Sequence, residues 1–264
     1  MRAHAPGSLT GLYAPPPPDE PDAPSRGASV AIEDGVTVAV EPADETTVRL
    51  EGEPTSVEPV GGVLESLGVA ATVDLEPDVP LGHGFGTSGA ATLATALAAD
   101  AVYNLGRDRD ALVSAAHRAE LDAGTGQGDV FIQDRGGLLW SGEGAAIDRR
   151  ALEGAIEWES TGPIPTESAL ADDDFRTTAA RVGPTHLDAL GDAPTLRAFV
   201  ERSRAYVAET GLAPASVRKT IERVDAAGGA ATMALFGETV FAVDADGALP
   251  HRTAVSNAGA RLLE

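Results

Sequence analysis

Residues 71–76 alternate apolar and polar side chains, as a strand with one wet face does. Residues 28–32, 36–41 and 47–51 also read as strands, and Glu33-Asp34-Gly35 marks a hairpin turn between the first two. Residues 57–67 are helical in pattern, although Pro59 and the Gly61-Gly62 pair interrupt them. Residues 90–101 contain no Gly or Pro, consist mostly of Ala, Leu and Thr, and read as a helix. Residues 110–122 form a second helix that can set Leu112, Ala115, Ala116, Ala119 and Ala123 on one face. Residues 136–141 read as a strand. After about residue 160 the pattern changes. Residues 174–190, 195–210 and 214–227 look helical, and 230–236 with 239–244 form a hairpin around Gly237-Glu238. This mixed order argues for an α+β fold and against a doubly wound parallel sheet. The shift near Gly162-Pro163 predicts two lobes, residues 1–160 and 161–264.

Composition narrows the class. The 264 residues can bury a substantial core as one large or two modest domains. Apolar residues make up 43% of the chain, which argues against a disordered acidic polymer. Acids outnumber bases 41 to 19, for a net charge of −22, and Lys219 is the only lysine. That balance predicts a salt-adapted cytoplasm, where ions screen self-repulsion. It also argues against a nucleic-acid partner, because no basic stripe is present. There is no cysteine, so no disulfide or Cys-metal site is expected. The five histidines (His4, His83, His117, His186, His251) lack ligand spacing. No apolar run reaches membrane-spanning length and no hydrophobic signal core opens the chain, so a cytoplasmic protein without a membrane partner is expected. Residues 14–24 are Pro-rich and acidic, and read as an exposed insertion.

The chemistry concentrates in Pro80-Leu-Gly-His-Gly-Phe-Gly-Thr-Ser-Gly-Ala-Ala91, where Gly82, Gly84, Gly86 and Gly89 lead into the helix of residues 90–101. Such a loop offers backbone N–H groups and a helix N-terminus to an anion. The Gly-Lys-Ser/Thr ending of a P-loop is missing. Gly84-Phe-Gly86-Thr-Ser-Gly89 fits the dinucleotide pattern GxGxxG, but it begins some 80 residues into the chain. The candidate acids Asp108 and Asp110 lie in a polar turn rather than at a strand end. A helix start packed on a strand without any ligand is the plain structural alternative.

The loop resembles the phosphate loop of the GHMP kinases, the superfamily of galactokinase and of homoserine, mevalonate and phosphomevalonate kinases. Its Phe, followed by Ser-Gly-Ala, is most similar to the archaeal pantoate kinase family. Ala5-Pro-Gly-Ser-Leu-Thr-Gly-Leu-Tyr13, Ser25-Arg-Gly-Ala-Ser29, Thr125-Gly-Gln-Gly-Asp-Val-Phe131 and Met233-Ala-Leu-Phe-Gly-Glu-Thr-Val-Phe-Ala242 resemble further motifs of that family. The resemblance implies a two-lobed fold, with a ribosomal-protein-S5-like N-terminal lobe that binds ATP and a ferredoxin-like C-terminal lobe. It implies ATP at Gly82, Gly84, Phe85, Gly86, Thr87, Ser88, Gly89 and Ala90, magnesium on Ser88 and Glu120, and Asp129 as the base that orients the acceptor hydroxyl. The acceptor implied is pantoate, phosphorylated to 4-phosphopantoate for coenzyme A synthesis.

Pantoate carries a carboxylate, and in a chain nearly devoid of Lys the grip is left to Arg or His; Arg26 is the candidate, since a guanidinium can hold a carboxylate bidentately. Ser8, Thr10 and Ser25 are candidates for acceptor hydroxyls. Plain structural roles compete at each position: Ser88 as a helix N-cap, Glu120 as a solvated helix acid, Asp129 as a turn residue, Arg26 as a surface ion pair. Two departures stand out. No Lys lies near residues 1–13, where many members have one, and the interval from Glu120 to Asp129 is shorter than in mevalonate kinases. Another GHMP acceptor (homoserine, shikimate or a mevalonate derivative) or a non-catalytic nucleotide-binding regulator remains open, as does a homodimer.

Overall fold

The computed structural model describes residues 1–16, 24–126, 128–142, 146–164 and 172–264. Most of the Pro-rich insertion, and Gln127 of the Gly-Asp segment, lie outside these.

Two long strands, β1 (Arg2–Ala14) and β2 (Arg26–Pro42), run antiparallel along most of their lengths. The first sheet grows from them. β5 (Ala71–Pro77) pairs with the later half of β2, and β3 (Thr47–Leu50) pairs parallel to β5 and antiparallel to β4 (Glu53–Thr55). The earlier half of β2 pairs with β6 (Leu138–Ser141), which carries β7 (Ile147–Arg150) beyond it. The last strand, β12 (Arg261–Leu263), returns to the outer side of β1.

The hairpin expected at residues 33–35 is not formed. β2 passes straight through, with Gly7 opposite Ile32 and Pro6 opposite Gly35, so that Glu33 and Asp34 bulge. The partner strand is long enough to pair both halves, so no turn is needed. Gly35 serves close approach instead: a Cβ there would lie 2.1 Å from the Ala5 carbonyl oxygen.

Four helices cover one face of this sheet: α1 (Glu58–Leu67), α2 (Thr87–Tyr103), α3 (Arg109–Asp122) and α4 (Asp129–Arg135). Val38, Val40, Val73 and Leu75 of the sheet meet Val60, Leu64, Leu93, Leu97 and Leu112 of the helices in one core. Residues 89–99 of α2 are buried on every side, packed among β1, β2, α1 and α3. Their small side chains permit that central position; larger ones would overfill it.

The second sheet has the order β11-β8-β10-β9, all antiparallel: β8 (Ala155–Pro163), β9 (Ala230–Met233), β10 (Gly237–Val243) and β11 (His251–Ala254). The hairpin read from residues 230–244 is present, with Met233 opposite Val240. Helices α5 (Asp173–Asp192), α6 (Leu196–Thr210) and α7 (Ala215–Ala226) accompany it. Their core takes in Leu9 and Leu12 of β1 together with Ile156, Phe199, Tyr206 and Phe241. The result is the expected α+β, two-lobed arrangement. Among the described residues no helix is long and apolar enough to cross a membrane.

Candidate active site

The glycine-rich loop joins β5 to α2. Gly82, Gly84 and Gly86 have φ of 75°, 88° and 62°, the left-handed region that glycine enters without strain. Gly86 ends the loop as the residue before the first turn of α2. The Ala90 N–H donates to the Gly86 carbonyl at 3.1 Å, the first bond of that helix. The amides of Thr87, Ser88 and Gly89 precede it and have no intrahelical acceptor. These three residues line a cavity of about 810 Å³.

Of the eight residues expected at the nucleotide, six line this cavity: Gly82, Gly84, Gly86, Thr87, Ser88 and Gly89. Two do not. The Phe85 ring is fully buried, edge-on to Trp158 at 4.8 Å, while its carbonyl accepts from the Ser8 N–H at 2.8 Å. Ala90 is fully buried and its N–H is already spent on Gly86. The glycines also have a reason unrelated to any ligand. A Cβ on Gly86 would lie 2.2 Å from Ser8 Oγ, and one on Gly89 would lie 2.8 Å from Gln133 Oε1. The protein's own side chains crowd the loop from below.

Two carboxylates face the cavity. Asp129 is the first residue of α4, a short helix unforeseen in the sequence. Ser8 Oγ donates to its Oδ1 at 3.0 Å, and Thr10 lies at 3.4 Å while sharing a closer bond of 2.8 Å with Ser29. Burial raises the Asp129 carboxyl above its ordinary range, and the Ser8 and Thr10 hydroxyls partly offset this. Ser8 is 1% exposed, so its hydroxyl serves the aspartate; Thr10 and Ser29 reach the cavity wall.

Glu120, near the end of α3, is 2% exposed. Its Oε1 accepts from Ser88 Oγ at 2.8 Å and Thr92 Oγ1 at 2.9 Å, and its Oε2 from Thr125 Oγ1 at 2.9 Å. It is therefore no solvated helix acid. Burial raises its pKa too, against the pull of the three hydroxyls. Gly126 lies so close that a Cβ there would be 2.9 Å from Oε2.

Ser25 and Arg26 also line the cavity. Arg26 Nη2 pairs with Asp188 at 2.8 Å and donates to the Ser141 carbonyl at 3.0 Å, a carbonyl that Nε also reaches at 3.3 Å. Nη1 has no partner among the described residues. Arg176 of α5, Phe236 of the β9–β10 turn and His117 of α3 also line the cavity. His117 packs its ring on Phe131 at 4.7 Å, and burial lowers its pKa.

Sequence reasoning passed over Thr92, Thr125, Arg176 and Gln133. Thr92 stands one helical turn beyond Ser88, and Gln133 one turn beyond Asp129, so both spacings were available as signals.

Residues 58–137, which span the loop, Glu120 and Asp129, match the family described as GHMP kinases N terminal domain. Two curated relatives of this chain are pantoate kinases. That of Methanospirillum hungatei is 28% identical over 256 residues, covering 92% of this chain and 87% of its own. That of Methanocaldococcus jannaschii is 26% identical, covering 90% and 91%. A solved structure titled phosphotransferase related to CoA biosynthesis pathway superposes with a TM-score of 0.84 at 24% identity, covering 99% of this chain and 98% of that one. It supports the fold.

Proposed function

We propose that this protein is a GHMP-type kinase that transfers the γ-phosphoryl group of ATP to the 4-hydroxyl of pantoate, yielding 4-phosphopantoate for coenzyme A synthesis. The observation that carries the reading is one cavity lined side by side by the start of α2 and by Asp129, whose carboxyl burial raises, in a chain whose curated relatives are pantoate kinases. Phosphoryl transfer needs charge stabilisation and in-line positioning more than covalent chemistry.

The amides of Thr87, Ser88 and Gly89 hold the phosphate tail at the positive end of α2. Asp129 accepts the proton of the attacking hydroxyl. A carboxylate with raised pKa is a better base near neutral pH than an ordinary one, and Ser8 fixes its orientation. Arg26 offers Nη1 to the acceptor carboxylate while Asp188 and Ser141 hold the rest of its guanidinium in place. Thr10 and Ser25 face the acceptor hydroxyls.

Ser88 and Glu120 suit magnesium. They bring a hydroxyl and a carboxylate oxygen within 2.8 Å of each other at the cavity wall. The described residues hold no cluster of three His, Cys, Asp or Glu side chains. A pair of hard oxygens completed by water and phosphate fits this ion. When bound, it would neutralise charge on the phosphates.

The ATP-binding role falls to residues 1–160, and residues 161–264 close the acceptor end with Arg176 and Phe236. The acidic, Lys-poor surface belongs to a protein of a salt-rich cytoplasm, without nucleic-acid or membrane partners.

The test is ADP release with ATP and magnesium over a panel of pantoate, homoserine, shikimate and mevalonate. Turnover with pantoate at the highest kcat/KM is expected. Turnover with another acceptor alone overturns the substrate assignment, and ATP binding without any turnover favours a regulator.

A further inference from the structure

Gln133 is fully buried, lies outside the cavity wall, and projects from the same face of α4 as Asp129, four residues later. Its Nε2 donates to the Gly86 carbonyl at 2.6 Å. That carbonyl also starts the hydrogen-bond ladder of α2. The side chain lies across both close-packed glycines of the loop: a Cβ on Gly86 would be 2.8 Å from Nε2, and one on Gly89 would be 2.8 Å from Oε1. The amide orientation follows from the contact, because the flipped form would set Oε1 against the Gly86 carbonyl. Oε1 is left without a hydrogen-bond partner. A buried polar side chain that satisfies only one end is retained at a cost. The Gln133 main chain is fixed as well, its carbonyl accepting from the Ala260 N–H at 2.8 Å.

We infer that Gln133 is a positioning residue, a neutral strut that sets the distance between the phosphate loop and Asp129. This rests on the kinase reading above. The loop presents the phosphoryl group and Asp129 presents the hydroxyl, so their separation is the reaction coordinate's starting length. The strut ties the two through one side chain of the helix that carries the base. Neutrality matters at this place. An acid would repel both the Gly86 carbonyl and Asp129, and a base would form an ion pair with Asp129 and lower its pKa. Displacement of reacting groups by about 1 Å costs on the order of a hundredfold in rate.

The variant Gln133→Met keeps length and bulk but removes the donor. With saturating ATP and pantoate its kcat falls at least tenfold and its KM for ATP rises, while its KM for pantoate stays within twofold of wild type. A lower Tm with both KM values and kcat unchanged would overturn the inference, since that is what filling space alone predicts.

A second measurement needs no variant fold. The chain has only two glutamines, Gln127 and Gln133, so side-chain ¹⁵N-glutamine labelling yields two amide signals, assigned with Gln127→Glu. Addition of magnesium and a non-hydrolysable ATP analogue shifts the slowly exchanging Gln133 signal. A signal that exchanges freely, or ignores the nucleotide while it binds, sinks the idea. Both readouts use the nucleotide, so a failure of pantoate as acceptor would be recognised in the wild-type turnover assay and leaves the nuclear magnetic resonance result decisive.

Discussion

Gly82 and Gly86 share a left-handed backbone, yet their replacement by Ala should differ several-fold in cost. At Gly82, φ is 75° and a Cβ would meet nothing closer than Pro163 Cβ at 3.8 Å, an ordinary contact. Only the conformational penalty remains, about 1–2 kcal/mol. At Gly86, φ is 62° and the Cβ falls 2.2 Å from Ser8 Oγ, 2.8 Å from Gln133 Nε2 and 3.3 Å from Asp129 Cγ. Ser8 must swing away and give up its bond to Asp129, a hydrogen bond to a charged group worth about 1.5–3 kcal/mol. The Gln133 bond to the loop adds about 1 kcal/mol. With the backbone penalty, Gly86→Ala loses about 3–6 kcal/mol. For a chain of this size that means a Tm lower by roughly 5 °C for Gly82→Ala and roughly 15 °C for Gly86→Ala. Thermal and urea unfolding of the two variants side by side measure the gap. Equal losses would show that the crowding beneath Gly86 does not constrain the loop.

Asp129→Asn should lower kcat by on the order of a hundredfold and yet raise stability at neutral pH. Burial raises the folded-state pKa, so as pH rises the unfolded chain ionises first and the folded state loses ground between the two values. The stability gain over wild type should therefore vanish below about pH 4, and the acid limb of wild-type kcat/KM should sit above the ordinary aspartate range; an acid limb at the ordinary value would remove Asp129 as the base. Arg26→Ala should raise KM for pantoate at least tenfold with KM for ATP unmoved, and equal changes in both would mean a structural role. With a net charge of −22, both Tm and activity should fall as salt is diluted below about 0.1 M, where screening lengthens past 10 Å; constant values would refute the salt-adaptation argument.

The sequence carried the parts of the fold whose burial is one-sided or total. β5 alternates because one face is wet, and α2 was visible because it lacks breakers from Ala90 onward. β7 is exposed at every position, so its side chains carry no alternation to read. β12 is three residues long, and β8 reaches full burial only at Ile156, Glu157 and Trp158. At residues 33–35 the local turn signal was real, but a long partner strand overrode it. The site was readable where glycine density and motif spacing marked it. Asp129 was visible as a residue, whereas the seven residues of α4 are too few for a helical period. Ser8 illustrates what one dimension hides: 121 residues separate it from Asp129, and only the sheet brings its hydroxyl beneath the carboxylate.

Phe85 packs edge-on against Trp158, and the other of the chain's two tryptophans, Trp140, lines the cavity wall. Intrinsic fluorescence therefore reports on this enzyme at two places without any label. One indole senses whether the cleft is filled, and the other senses strain relayed through the loop's buried ring. Replacing each in turn with Phe would separate occupancy from loop rearrangement by comparing the stopped-flow traces of the two variants.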